Sequence, residues 1–382
     1  MAIAWFLIIV CLFFILHAYL FYPIILFLLP KTKSRWKDSI PNCSVAVIIA
    51  AYNEEGVIGD KVKSVLNNLP KHLDLEIYVG SDASTDNTDK IIENISRDHH
   101  NVHLVRFGGR TGKAAIINQL TKDKRHDIFI LTDANVIFTE NTISELLIPF
   151  QKSEVSMVCA NILKISNDNK SFGNLEKSYI NYENRMKKME SDLWQFVIGA
   201  EGGCYAIRSK DYKDVPKNFY MDDFFMTMQV LENNKEIIFQ KNAICKEDIP
   251  NLASEEFKRK TRISIGNFQN LNRFKHLLVK NRIALSFAFI SHKILRWHTP
   301  IFLIIILFCS GFLSFYYSII FPFLLIQLTL LLSPVWAKLK IRIPIVSSLI
   351  YFYSMNIALF YGMVLYLKGV KSNVWEPTLR KT

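Results

Sequence analysis

Between Ala2 and Leu29 the chain carries no Asp, Glu, Lys or Arg. A helix of that length exceeds the roughly 20 residues that a bilayer core requires, so the first element of this chain is expected to span a membrane. No basic residue precedes the apolar stretch and no small-x-small site follows it, which argues for an uncleaved anchor over 1–29 and against a signal peptide. Lys31, Lys33, Arg35 and Lys37 come before the first acid, Asp38, and the positive-inside bias then predicts a cytoplasmic location for the domain after the anchor. Three further apolar runs, at about 299–317, 319–336 and 345–367, are predicted to be transmembrane helices, with the basic loop Lys338 to Arg342 between the last two. Three crossings would leave Lys368, Lys371, Arg380 and Lys381 on the outer side, against the same bias. One run could be re-entrant, and the sequence leaves this parity open.

The middle of the chain, about 250 residues of ordinary mixed composition, is enough for one domain with a sizeable core. Six cysteines are scattered without metal-ligand spacing and are expected to be buried thiols of a reducing compartment. A continuous apolar run at 45–50 predicts a strand buried on both faces, 75–79, 102–107 and 128–131 repeat the strand signal, and 57–66, 86–95 and 113–120 are expected to be the helices between them. Strand and helix in alternation imply an α/β fold with a mostly parallel sheet. In such sheets ligands bind at the carboxyl ends of the strands.

Those ends are polar here. Ala51-Tyr52-Asn53-Glu54-Glu55 follows the first strand, and Ser81-Asp82-Ala83-Ser84-Thr85-Asp86 follows the second. In the latter, Ser84, Thr85 or Asp86 is expected to cap the next helix, with Asp82 left free at the strand tip. Gly108-Gly109-Arg110-Thr111-Gly112-Lys113 follows the third strand and Thr132-Asp133-Ala134-Asn135 the fourth. A carboxylate at a turn is most often a cap, so each segment alone is weak. Together they offer acidic tips, an aromatic ring and a lysine at a helix start, and lysine with exposed N–H groups suits phosphate. A P-loop would need Gly at 107 and Ser or Thr at 114, where the chain has Phe107 and Ala114, which disfavours an ATPase. Asp133 and Asn135 lie two residues apart on one side of an extended chain, which suits a hard divalent ion shared with a diphosphate.

In order and spacing, across roughly 44 to 270, these segments resemble membrane-bound family 2 glycosyltransferases, the group of cellulose, hyaluronan and poly-N-acetylglucosamine synthases. The resemblance implies a GT-A-like nucleotide-sugar-binding domain flanked by transmembrane helices. It assigns Ala51, Tyr52, Glu54, Asp82, Lys113, Asp133 and Arg262 to the nucleotide sugar, with Asp82 on uracil and Lys113, in Gly112-Lys113-Ala114-Ala115 with Asn118, near the diphosphate. Asp133 and Asn135 would hold Mg²⁺ or Mn²⁺, with Asn135 replacing the second acid of D-x-D. Glu201, Gly202 and Asp222 would line the acceptor side, and Asp223 would be the catalytic base. Where processive members carry Q-x-x-R-W this chain reads Arg259-Lys260-Thr261-Arg262-Ile263, so only the arginine is kept and long-chain processivity is in doubt.

The expected organisation is an anchor over 1–29, a cytoplasmic catalytic domain over 30–256, basic interfacial helices over 257–297, transmembrane helices over 298–367 and a basic tail over 368–382. The implied reaction is inverting transfer from a nucleotide sugar, UDP favoured by resemblance alone, to a growing polysaccharide or glycan at the cytoplasmic membrane face. The alternatives are single addition to a lipid carrier, or a non-catalytic nucleotide-sugar-binding part of a secretion complex with unidentified export partners. A glycoside hydrolase, which also uses two carboxylates, has no use for a diphosphate cradle. Of the net charge of +12, residues 257–297 hold +10 with no acid among them, interleaved with apolar side chains. That pattern predicts contact with membrane lipid, with Arg259 and Arg262 as candidates to reach the nucleotide. It leaves nucleic acid without support as a partner.

Overall fold

The computed structural model describes residues 1–31, 36–37, 39–70, 72–122, 125–165, 171–248, 253–279, 282–336 and 343–370. Lys33, Arg35, Asp38, Lys280, the loop 338–342 and the tail residues Lys371, Arg380 and Lys381 lie outside the described residues. The chain divides into two compact units, one within 30–166 and 180–249, the other within 1–29, 167–179 and 250–370.

The first unit is built on one sheet. Strands β1 (Ser44–Ala51), β2 (Asp74–Ser81), β3 (Val102–Arg106), β4 (Ile128–Asp133), β5 (Val136–Phe138), β6 (Val155–Ile165), β7 (Cys204–Arg208) and β8 (Glu236–Asp248) lie in the order β3-β2-β1-β4-β7-β6-β8-β5. β1 pairs in parallel with β2 and β4, and β2 with β3. Val45 through Ile49 are fully buried, as a central strand covered on both faces requires. Beyond β4 the sheet turns mixed: β7 runs antiparallel to β4 and β6, β8 parallel to β6 and β5 antiparallel to β8. The parallel half is the half whose strand ends carry the predicted polar residues.

The helices between these strands fall where the periodicity puts them, at Ile58–Leu66, Thr88–Asp98 and Lys113–Lys122. Helix Ile58–Leu66 buries Ile58, Lys61, Val62 and Val65, an i, i+3, i+4, i+7 stripe that includes one lysine. Helix Lys113–Lys122 crosses β2 at Gly80, where a Cβ would overlap Ile116 Cγ2 and stand 2.9 Å from Leu120 Cδ1. Helix Asp222–Glu232 and the part of helix Ser171–Trp194 from Ile180 onward also belong to this unit. Four cysteines, Cys11, Cys159, Cys204 and Cys245, are buried and all six are free thiols.

Among the described residues of the second unit three helices are long and apolar enough to cross a membrane: Ala2–Leu28, Ile283–Ser314 and Ile345–Leu367. The middle run expected at 319–336 instead forms the shorter helix Ile320–Leu331, followed by the single turn Ser333–Trp336. The basic stretch divides between helix Ala253–Phe274 and the start of Ile283–Ser314. Its charges are less exposed than a purely interfacial helix would leave them. Arg259 pairs with Glu256 at 2.9 Å and Glu176 at 2.6 Å, so the expectation that it reaches the nucleotide gives way to an ion-pair network fixed by i, i+3 spacing. Arg296, 5% exposed, donates through Nε and Nη2 to the carbonyl oxygen of Ala18. Arg262 lies on helix Ala253–Phe274 of this unit.

Candidate active site

β1, β2 and β4 are parallel neighbours, so their carboxyl ends form one edge. Along it the turn after β1 interlocks with the turn after β2. Asn53 Oδ1 accepts from the Thr85 backbone N–H at 2.8 Å, the Asn53 N–H donates to Ser84 Oγ at 3.2 Å, and the Glu55 N–H donates to Asp86 Oδ2 at 3.0 Å. Asp86 also accepts from the Thr88 N–H at 3.0 Å, but the N-cap of helix Thr88–Asp98 is Asn87, which makes no side-chain cap, so none of Ser84, Thr85 and Asp86 is the cap the sequence suggests. Asn53 and Ala83 take the left-handed backbone, with φ of 52° and 58°, which folds both turns tightly. Ala51 is buried, Tyr52 half-buried, and Glu54 is buried with its backbone N–H donating to Thr88 Oγ1.

Asp82 is not the free strand tip that the sequence suggests. It is 3% exposed, and its carboxylate accepts from Thr111 N–H at 2.6 Å, Thr111 Oγ1 at 3.0 Å, Gly112 N–H at 3.1 Å and Arg110 Nε at 3.2 Å. The glycine-rich loop presents successive N–H groups, and a carboxylate is the strongest acceptor in reach. Gly112, at φ 87°, makes the turn that brings its N–H round to Asp82. The Arg110 guanidinium lies 3.3 Å from the centre of the Tyr52 ring. Tyr52, Asp82 and Arg110 therefore form one layered unit, and Arg110 and Thr111 are the members that motif matching passed over.

A second cluster lies at the tip of β4. Lys113 Nζ stands 2.7 Å from Asp133 Oδ1, 3.6 Å from Asp222 Oδ2 and 3.5 Å from the Gly202 carbonyl oxygen. Burial opposes its charge, yet Asp133, Asp222 and Asp223 outweigh burial and hold the Lys113 pKa above its ordinary range. Asp223, 8% exposed in the first turn of helix Asp222–Glu232, accepts from the Phe224 N–H at 2.7 Å. Its carboxyl is pushed up to about 7, first by burial and then by Asp222, with Lys113 opposing and Asp133 adding a little. Gly202 makes room for it: a Cβ there would sit 2.9 Å from Asp223 Oδ2. Glu201, beside it in sequence, pairs with the buried Lys187 at 3.2 Å.

Among the described residues no group of three or more His, Cys, Asp or Glu side chains converges as a protein-only metal cage. Asp133 and Asp222 nevertheless converge on one cation, the Lys113 ammonium. A hard divalent ion whose remaining ligands are water and diphosphate oxygens suits this donor set. Asn135 directs its amide toward Glu247, with Nδ2 3.5 Å from Oε1, and Glu247 also pairs with the buried Lys164 at 2.6 Å. Glu247 reaches Asn135 because β8 pairs with β5, in a register that sets Val136 opposite it. Nothing local in the sequence signals that contact.

Residues 46–215 match the model of Glycosyl transferase family 2. Over 234 residues the chain is 22% identical to poly-beta-1,6-N-acetyl-D-glucosamine synthase of Staphylococcus epidermidis, covering 60% of this chain and 56% of that protein. Over 167 residues it is 24% identical to beta-monoglucosyldiacylglycerol synthase of a Nostoc species, covering 43% and 34%. The chain thus spans from about a third to somewhat over half of the length of these curated relatives. A mannosyltransferase of Pyrobaculum calidifontis, solved with GDP-Man and Mn²⁺, superposes with a TM-score of 0.71 over 94% of this chain and 99% of its own, at 17% identity, a likeness of fold. Residues 46–215 thus match a family 2 glycosyltransferase domain, and the fold is GT-A-like.

Proposed function

We propose that this protein transfers a sugar from a nucleoside-diphosphate sugar to an acceptor hydroxyl with inversion at the anomeric carbon. The observation that carries this reading is the convergence of Lys113, Asp133, Asp222 and Asp223 at the carboxyl edge of the sheet. Inverting transfer in one displacement needs a base for the acceptor proton and positive charge beside the leaving diphosphate. Asp223 is the base: its carboxyl at about 7 is basic enough to take a proton and still ionised in good part near neutrality. Lys113 supplies fixed positive charge for the diphosphate. Asp133 and Asp222, with Asn135 behind them, would hold Mg²⁺ or Mn²⁺, which when bound neutralises diphosphate charge. Tyr52, Asp82 and the Arg110 loop form the surface for the nucleoside, with Ala51 and Glu54 shaping the turn beneath it.

The acceptor reading is a growing glycan at a membrane, with Glu201 and Gly202 on the acceptor side. A second reading, single addition to a lipid-linked acceptor, is favoured by Arg259, which stands where processive members have glutamine and is committed to Glu176 and Glu256. The three long apolar helices are the proposed spans. With Ile320–Leu331 too short to cross, the two long C-terminal helices return the chain to the side it left. That relieves the parity conflict and suits the basic tail that begins at Lys368.

Membranes holding the protein should release nucleoside diphosphate from a sugar nucleotide when Mn²⁺ is present, and Asp223→Asn should lower turnover by about 10²–10⁴-fold while sugar-nucleotide affinity stays within a few-fold. Binding without turnover in the unaltered protein would reject the enzyme reading. Organic-phase partitioning of labelled product against gel filtration separates the two acceptors.

A further inference from the structure

Helix Ile58–Leu66 hides a charge in its core stripe. Lys61 is 0% exposed, one turn from Ile58 and Val65 on the face that packs beneath the sheet's carboxyl edge. A lysine is almost never fully buried without partners, and this one has a specific set. Its Nζ donates to Thr132 Oγ1 at 2.8 Å and to the Val136 carbonyl oxygen at 2.5 Å, and stands 3.6 Å from the centre of the Phe138 ring. Thr132 and Val136 flank Asp133-Ala134-Asn135 on its two sides, so a single ammonium grips the loop at both ends. The grip continues outward: Thr132 Oγ1 donates to the Gly203 carbonyl oxygen at 2.9 Å, and the Asp133 N–H donates to the same oxygen at 3.1 Å. Gly203 follows Gly202, whose backbone packs against Asp223.

We propose that Lys61 is a positioning residue for the Asp133 loop, fixing the spacing between the cation-binding carboxylate and the catalytic base through Thr132 and Gly203. The inference rests on the transferase reading and deepens it. β4 ends at Asp133 and β5 begins at Val136 on the far side of the sheet order, so sheet pairing alone does not close this loop. Thr132 Oγ1 and the Val136 carbonyl both accept from one donor group, and an ammonium, with three N–H bonds, can serve both at once. Burial pushes the Lys61 ammonium down to about 8, and Cys204 on β7, Cys245 on β8 and Asp133 oppose that fall by favouring its charged form. Outer partners of this kind hold a ligand in orientation without touching the ion, and their loss typically weakens metal affinity or activity by about 10–100-fold.

The test uses the full chain in detergent and three variants: Lys61→Met, which keeps an unbranched apolar stem and removes the donors; Thr132→Val, which removes the hydroxyl and leaves Lys61; and Thr132→Ser, which keeps it. Two readouts are taken, Mn²⁺-dependent binding of UDP and of GDP by calorimetry, and the Mn²⁺ concentration for half-maximal turnover. Lys61→Met and Thr132→Val should each weaken Mn²⁺-dependent binding and raise half-activation by about 10-fold or more, with Thr132→Ser within 3-fold of the unaltered protein. A core role alone would lower the melting temperature and leave both readouts of the folded fraction unchanged, and that result overturns the proposal. Should Lys61→Met fail to fold, the contrast between Thr132→Val and Thr132→Ser decides. An unaltered protein that neither turns over a sugar nucleotide nor binds UDP or GDP with Mn²⁺ refutes the transferase reading itself, whereas an active one matched by Lys61→Met and Thr132→Val refutes only the role of Lys61.

Discussion

Asp223 shows how much a single carboxyl depends on its neighbours. An exposed aspartate titrates near 3.9 and would be a poor base, whereas burial and Asp222 raise this one to about 7. The anion is the active form, so kcat/KM should fall as pH drops through about 7, and the limb should vanish from any residual activity of Asp223→Asn. A pH–rate profile that stays flat down to pH 5 would remove Asp223 from the role of base. Gly202→Ala is a second probe at this scale. Its Cβ would meet Asp223 Oδ2 at 2.9 Å, so the carboxylate must swing, and kcat should fall about 10-fold or more, with sugar-nucleotide KM changing less. Motif order alone pointed to Asp223 and Asp133. That Asp82 is already bonded by Thr111, Gly112 and Arg110 was not legible, because it depends on a loop closing back across the strand ends.

At the scale of elements, the parallel half of the sheet followed from local pattern: β1 from Val45 to Ala51 and β4 from Ile128 to Leu131 are uninterrupted apolar runs, β2 and β3 are at least half apolar, and the helices between them run 9 to 11 residues. The other half did not. β7 inserts antiparallel beside β4, and β5, only three residues long, pairs with β8 about a hundred residues later. Such partners are chosen by long-range packing, and a short strand carries too little periodicity to announce itself. The contact of helix Lys113–Lys122 with β2 depends on Gly80. Gly80→Ala should cost about 1–3 kcal/mol through overpacking against Ile116 and Leu120, measurable by denaturant unfolding of the detergent-solubilised protein. It should also lower diphosphate affinity, since Lys113 opens that helix. Wild-type stability in this variant would mean that Ile116 and Leu120 repack freely, against the close approach of the helix to the strand.

At the scale of the molecule, the chain separates into a sheet unit and a unit of long apolar helices, and three helices among the described residues meet the length and apolarity of a span. Two long C-terminal helices predict that the tail and the segment after Leu29 face the same side. With the catalytic domain proposed to be cytoplasmic, a cysteine appended after Thr382 should resist an impermeant thiol reagent in intact cells and react after permeabilisation, and labelling in intact cells would overturn this topology. The sequence by itself determined the apolar ends, the α/β alternation and the order of motif residues, because each is a periodicity or composition carried by neighbouring positions. The tertiary structure alone decided that Lys113 sits between Asp133 and Asp222, that the acid-free stretch 257–297 is partly neutralised by Glu176 and Glu256, and that buried Lys61 braces the Asp133 loop. Charge pairing and hydrogen bonding depend on distances across the fold, and residues 71 positions apart, such as Lys61 and Thr132, acquire a distance only when the chain has folded.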